Sequence, residues 1–195
     1  MIQQLSIRIA KKLLSDGYLT AAEEDEVIYG LFTSLSRVIF AAICISLGIV
    51  FRSAIESVVF YCSFLFVKRY AGGFHASTES RCFIISTTSI ALSICFISFC
   101  QTAYYIRNLV FILTIIAGAI ISFFSPVATA EKPLDINAKK RYRLFSVLRV
   151  IILFSIISIL YCLSIYNVCI AICASILLEG LFLIAGHFKN KMIST

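Results

Sequence analysis

Apolar and polar positions are arranged in long blocks along this chain, unlike the short alternations of a soluble domain. Apolar runs recur at about 38–51, 53–67, 83–101, 108–127, 144–166 and 168–188, most of them near the roughly 17 to 25 residues that a helix needs to cross hydrocarbon. They predict an all-α, polytopic integral membrane protein with about six transmembrane helices. The first two runs are short or carry a charge, with Arg37 before one and Glu56 inside the other. Four spans with two interfacial or re-entrant segments are therefore the alternative.

Ahead of the first run, Ile2, Leu5, Ile9 and Leu13 repeat at helical spacing, with Arg8, Lys11 and Lys12 between them. This predicts a cationic amphipathic helix, either lying on an anionic leaflet or packed as a cytoplasmic helix. Asp16-Gly17 breaks the pattern. Thr20-Ala21-Ala22-Glu23 then has the form of a capping box whose acidic first turn suits the positive end of a helix dipole. A second helix is expected to start there and run into the first span. Residues 1–30 read as a cytoplasmic amphipathic region of a single membrane domain over 1–195. They contain no continuous apolar core of a secretory signal, so the N-terminus is expected to be retained.

Composition supports the membrane class: 61% of residues are hydrophobic and 14% charged, and the mean hydropathy is +1.00, whereas soluble domains are about a quarter charged. Lys and Arg are retained on the cytoplasmic side of short loops. With six spans and the N-terminus inside, all of the 17 Lys and Arg except Arg52 and Arg107 fall on that side. The assignment puts the 68–82 segment, the basic 128–143 loop and both termini in the cytoplasm. A basic inner surface suits anionic lipid, so the net charge of +7 is accounted for without nucleic acid.

Seven of the eight cysteines, Cys44, Cys62, Cys95, Cys100, Cys162, Cys169 and Cys173, lie within apolar runs, where a thiol is a small hydrophobe. None has the paired Cys and His spacing of a zinc site, and no metal or other cofactor is expected. Cys82 differs. It opens an apolar run behind Ser77, Thr78 and Glu79, which suit a helix's first turn, and it follows Arg81. A thiol near a helix N-terminus and a cation ionises more easily than a buried one. His75 precedes it by seven residues, about 10 Å on a continuous helix. Gly72-Gly73 and Ser77-Thr78 favour a turn that brings imidazole and sulfur within hydrogen-bond reach. The alternative is a loop histidine and a helix-start cysteine without shared chemistry.

Arg69, Gly73, His75 and Cys82, followed by Pro126-Val127-Ala128-Thr129-Ala130-Glu131-Lys132-Pro133, a basic run to Arg143 and Glu179 in the last apolar run, resemble the accessory gene regulator B (AgrB) family. The resemblance covers nearly the whole chain. It implies a membrane-embedded cysteine endopeptidase that matures a quorum-sensing pheromone precursor, with His75 as base and Cys82 as nucleophile. It implies removal of an acidic C-terminal tail through a Cys82 thioester and cyclisation to a thiolactone or lactone. It also implies a homodimer in the cell membrane, with its site at the cytoplasmic face.

Supporting roles follow less directly. Glu79 is the acid nearest His75 and either orients it or caps a helix. Arg69, Lys68, Lys132, Lys139 and Lys140 either hold the precursor's acidic tail or set topology. Cys82, Ser86, Ser89 and Ser93 share one helical face, as a polar stripe or a small-residue helix contact. Glu56 and Glu179 are the acids within the apolar runs, where a carboxylate usually faces a partner or a wet cavity. Glu179 is expected to line such a cavity or to make a structural hydrogen bond, and His187 is expected at the interface. A small transporter or channel, or a non-catalytic membrane scaffold, would share the hydropathy and charge pattern.

Overall fold

A computed structural model describes residues 2–20, 22–74, 78–127 and 135–194. They form seven helices: α1 (Ile2–Ser15), α2 (Glu24–Val50), α3 (Ala54–Ala71), α4 (Glu79–Thr102), α5 (Arg107–Phe124), α6 (Ile136–Cys162) and α7 (Tyr166–Ser194), with a single 3-10 turn at Tyr104–Ile106. Among the described residues there are no strands, so the all-α expectation holds. The chain divides into two compact units, Met1–Ile43 and Cys44–Thr195.

In the first unit, α1 buries Ile2, Ser6 and Ala10, an i, i+4, i+8 line rather than the expected Ile2, Leu5, Ile9, Leu13 stripe. Leu5 is exposed. The Ser6 hydroxyl reconciles a polar side chain with this face by donating to the Ile2 carbonyl. The capping box forms: the Glu23 carboxylate accepts from the Thr20 hydroxyl at 2.7 Å and from the Thr20 N–H at 3.1 Å. Both bonds favour the carboxylate and hold the acid below its ordinary pKa. Three further acids, Glu24, Asp25 and Glu26, fill the first turn of α2.

Five helices, α2, α4, α5, α6 and α7, are long and apolar enough to cross a membrane. The chain is therefore of the multi-pass type. The short first run becomes the end of α2, a helix of 27 residues. The second run is helical as α3, but Glu56, Lys68 and Arg69 among its 18 residues leave it too charged to stand among the five. Glu56 sits in the first turn of α3, where an acid complements the helix dipole.

The second unit is organised around α7, which packs against α3, α4, α5 and α6. Between Cys169 and Gly180 every residue except Leu177 is buried, as expected for a helix that is apolar on all sides. Ala171, Cys173, Ala174 and Ser175 in this stretch allow the close backbone approach that drives helix association in lipid. Of the thiols, Cys44, Cys100, Cys169 and Cys173 are buried, whereas Cys62, Cys95 and Cys162 are exposed. The connections alternate between two ends of the bundle. At one end the α4–α5 and α6–α7 connections meet through Arg107 over the Tyr166 ring at 4.1 Å and Tyr161 edge-on to Phe111 and Tyr166. The other end carries α3 into α4 and α5 into α6.

Candidate active site

The site is built where α3 stops. After Ala71 the chain turns through Gly72 at φ +80° and Gly73 at φ +131°, left-handed conformations that favour glycine. Gly72 pairs with Val127 in an isolated parallel bridge, and the Val127 N–H donates to the Ala71 carbonyl at 3.0 Å. On its other side the turn meets α7. A Cβ placed on Gly186 would lie 2.9 Å from the Gly73 carbonyl carbon and 3.1 Å from the Phe74 nitrogen. The turn is thus held by backbone on both flanks.

Cys82 lies one helix further on, in the first turn of α4. Thr78 is the N-cap, its hydroxyl accepting from the Arg81 N–H at 3.4 Å. The Cys82 N–H donates to the Thr78 carbonyl at 3.0 Å, closing the first helical turn. The thiol residue is half-buried and stands at the positive end of the α4 dipole. His75, Lys132 and the Glu79 side chain lie outside the described residues, so the structure does not place the expected base or its nearest acid.

Glu179 is fully buried, facing this turn: a Cβ on Gly73 would be 3.7 Å from its Oε1. Neither carboxylate oxygen has a hydrogen-bond partner among the described residues. On α3, the Lys68 ammonium lies 4.9 Å from the Phe64 ring centre and 4.5 Å from that of Phe182.

The basic residues divide. Arg69 is exposed, its guanidinium 5.8 Å from the Tyr70 ring centre, and Lys139 and Lys140 are exposed on the first turns of α6. A pocket of about 450 Å³ opens beside them, lined by Tyr70, Asn137, Ala138, Arg141, Tyr142 and Phe145. Arg149, expected only to mark topology, reaches from α6 to donate to the Phe66 carbonyl and lies over the Phe66 and Tyr70 rings. Ser89 and Ser93 line an apolar groove of about 570 Å³ between α4, α5 and α7, with Phe96 and Phe182 among its other walls. Ser86 is half-buried, and the buried face of α4 is instead Ile90, Ile94 and Ile97. His187 is exposed, edge-on to Phe124 at 5.2 Å.

Sequence reasoning missed Gly186 and the seat of Lys68 against the Phe64 and Phe182 rings. The only hints were a glycine late in an apolar run and a lysine flanked by aromatics.

With this geometry in place, comparison with known proteins is decisive for the family. The profile of the family described as Accessory gene regulator B matches residues 6–183. The chain belongs to the AgrB family. It is 26% identical over 175 residues to AgrB-like protein 2 of Clostridium perfringens strain 13, covering 86% of this chain and 80% of the relative. An AgrB-like protein of C. perfringens strain SM101 is 24% identical over 187 residues, covering 92% and 86%. The accessory gene regulator protein B of Staphylococcus aureus strain MW2 is 33% identical over 95 residues, covering 48% of this chain and 49% of that one. No solved structure gives a significant match. The AgrB resemblance drawn from the His-to-Cys spacing, the Pro-to-Lys-Pro loop and Glu179 is thus upheld.

Proposed function

We propose that this AgrB family member is a cysteine endopeptidase of the cell membrane that trims and cyclises a quorum-sensing peptide precursor. The observation that carries the reading is Cys82, half-buried in the first turn of α4 next to the turn at Gly72 and Gly73, in a chain of this family. The thiolate is the nucleophilic form of cysteine.

In this reading His75 takes the Cys82 proton. The thiolate attacks the carbonyl preceding the precursor's acidic C-terminal tail. The tetrahedral intermediate collapses, the tail's amine leaves with the proton from His75, and the peptide remains on Cys82 as a thioester. A Cys or Ser side chain within the precursor then displaces Cys82, closing a thiolactone or lactone. Water must be kept out at that step, because thioester hydrolysis is strongly downhill while exchange to another thioester is nearly balanced. Gly72 against Val127 and Gly73 against Gly186 hold the segment leading to His75. Arg69, Lys132, Lys139 and Lys140 are offered as contacts for the acidic tail, together with Arg141 and Tyr142 of the neighbouring pocket. Glu79 and Ser86 are assigned supporting places on α4. The site faces the cytoplasm, and the working form is a homodimer in an anionic bilayer.

The test is reconstitution in lipid vesicles with a candidate precursor, following tail release by mass spectrometry. The native chain should release the tail and carry a peptide adduct on Cys82, whereas Cys82→Ser, Cys82→Ala and His75→Ala should not release it. Unchanged release by these variants would overturn the mechanism.

A further inference from the structure

The pocket of about 450 Å³ at the start of α6 is in the size range of small-molecule sites, and its walls are of two kinds. One is aromatic: the Tyr70 ring lies 5.4 Å from that of Tyr142 and 5.0 Å from that of Phe145. The other is cationic. Of the three arginines of α6, two are committed to backbone, Arg143 donating to the Ser122 carbonyl at 3.2 Å and Arg149 to that of Phe66. Arg141 lies 5.9 Å from the Phe145 ring centre and makes no hydrogen bond or ion pair among the described residues. Arg69, Lys139 and Lys140, all exposed, add positive charge at the same end. Asp135, the N-cap of α6, is the described acid nearest in sequence.

Below the pocket the same face of α6 is apolar and uncovered. From Arg141, steps of four and three residues reach Phe145, Leu148, Ile152, Ile156 and Ile159, one stripe of the helix, and the last four are exposed. The helix is long and apolar enough to cross a membrane over Asn137–Cys162. Arg141 therefore stands at the level of the headgroups, and the stripe descends about 27 Å into hydrocarbon at 1.5 Å per residue.

We propose that this pocket binds an anionic phospholipid of the surrounding leaflet, with the phosphodiester on Arg141, the glycerol against Tyr70 and Tyr142, and an acyl chain along Leu148 and Ile152. Basic pockets beside membrane helices take such headgroups. The precursor's acidic tail matches the charge of Arg141 but has no use for the stripe, whereas a lipid uses both. The tail offered above to the same arginine would reach it by displacing this lipid. The proposal does not depend on Cys82 being the nucleophile.

The experiment places the full chain in phosphatidylcholine vesicles with a trace of phosphatidylglycerol carrying a diazirine near the top of one acyl chain. On irradiation the diazirine loses dinitrogen and inserts into a neighbouring bond, and mass spectrometry maps the attached lipid. Label should gather around Phe145 and Leu148, fall with excess unlabelled phosphatidylglycerol and persist in excess phosphatidylcholine. Arg141→Gln should lower it about fivefold, as expected for one cation at the surface, while Arg107→Gln at the opposite end should leave it unchanged. Label along α2 of the same molecules checks that the variants remain folded in the bilayer. Equal labelling by a phosphatidylcholine probe, or labelling unchanged in Arg141→Gln, would mean ordinary lipid contact and overturn the proposal. Label lost to inorganic phosphate or to a synthetic acidic peptide, but not to excess phosphatidylglycerol, would overturn it in favour of a free anion or the tail.

Discussion

The two ends of the Cys44–Thr195 bundle are closed by different means. At the end bearing Arg107, side chains do the closing: a guanidinium lies over Tyr166, and Tyr161 meets Phe111 and Tyr166 edge-on. At the end bearing Cys82, backbone meets backbone, with Gly72 against Val127 and Gly186 against Gly73 and Phe74. Side-chain closure tolerates exchange because rings and flexible chains can repack. Backbone closure leaves no atom that can yield alone, so one added methyl must move a segment. The end proposed for chemistry has the less forgiving construction.

The sharpest break of this contrast is at Cys82 itself. Cys82→Ala should lower tail release more than a thousandfold, a scale typical of removing a nucleophile, while the yield of folded protein stays native. Next, Gly186→Val should separate Gly73 and Phe74 from α7. It is expected to cost about 1 to 3 kcal/mol as overpacking and to reduce tail release by at least about tenfold, with Cys82 still present for alkylation. The matching change at the opposite end is milder. Arg107→Gln removes the cation over Tyr166 and should cost about 0.5 to 2 kcal/mol, read as a lower melting temperature in vesicles with tail release per folded molecule unchanged. Equal losses of release from Gly186→Val and Arg107→Gln would erase the distinction between the ends.

The smallest effect lies outside both ends, at Glu23. Its hydrogen bonds to the Thr20 hydroxyl and backbone depress its pKa below 4.5. The stabilisation is therefore present above the unfolded value and is lost as pH falls through the folded one. Carboxyl NMR titration of Glu23 should find this depression, and Thr20→Ala should move the value back toward 4.5 with no change in tail release near neutrality.

Features within one segment were legible in the sequence. The blocks of apolar residues gave the helices, Thr20 and Glu23 gave the entry to α2, and Ser77, Thr78 and Glu79 announced the start of α4, with Thr78 taking the cap. Glu179 was noticed because an acid in an apolar run is conspicuous. Features joining distant segments were not legible. Gly186 looks like any small residue in a long run until Gly73 lies against it, and Lys68 looks like a topology marker until Phe182, more than a hundred residues later, covers it. The stripe of α1 was shifted because Ser6 can satisfy its hydroxyl on its own helix, which a hydrophobic pattern does not register. The short first run was misleading for a similar reason, since the polar first turns of α2 continue the same helix.

The charge content of α3 has a consequence for how the chain is made. Its helix carries Glu56, Lys68 and Arg69, so exposure to lipid on all sides would be expensive. The surfaces that cover it belong to α6 and α7, which leave the ribosome well after it. During synthesis α3 must therefore wait at the interface or in the insertion machinery until its later partners emerge, and a chain truncated before α7 should be recognised by quality-control proteases.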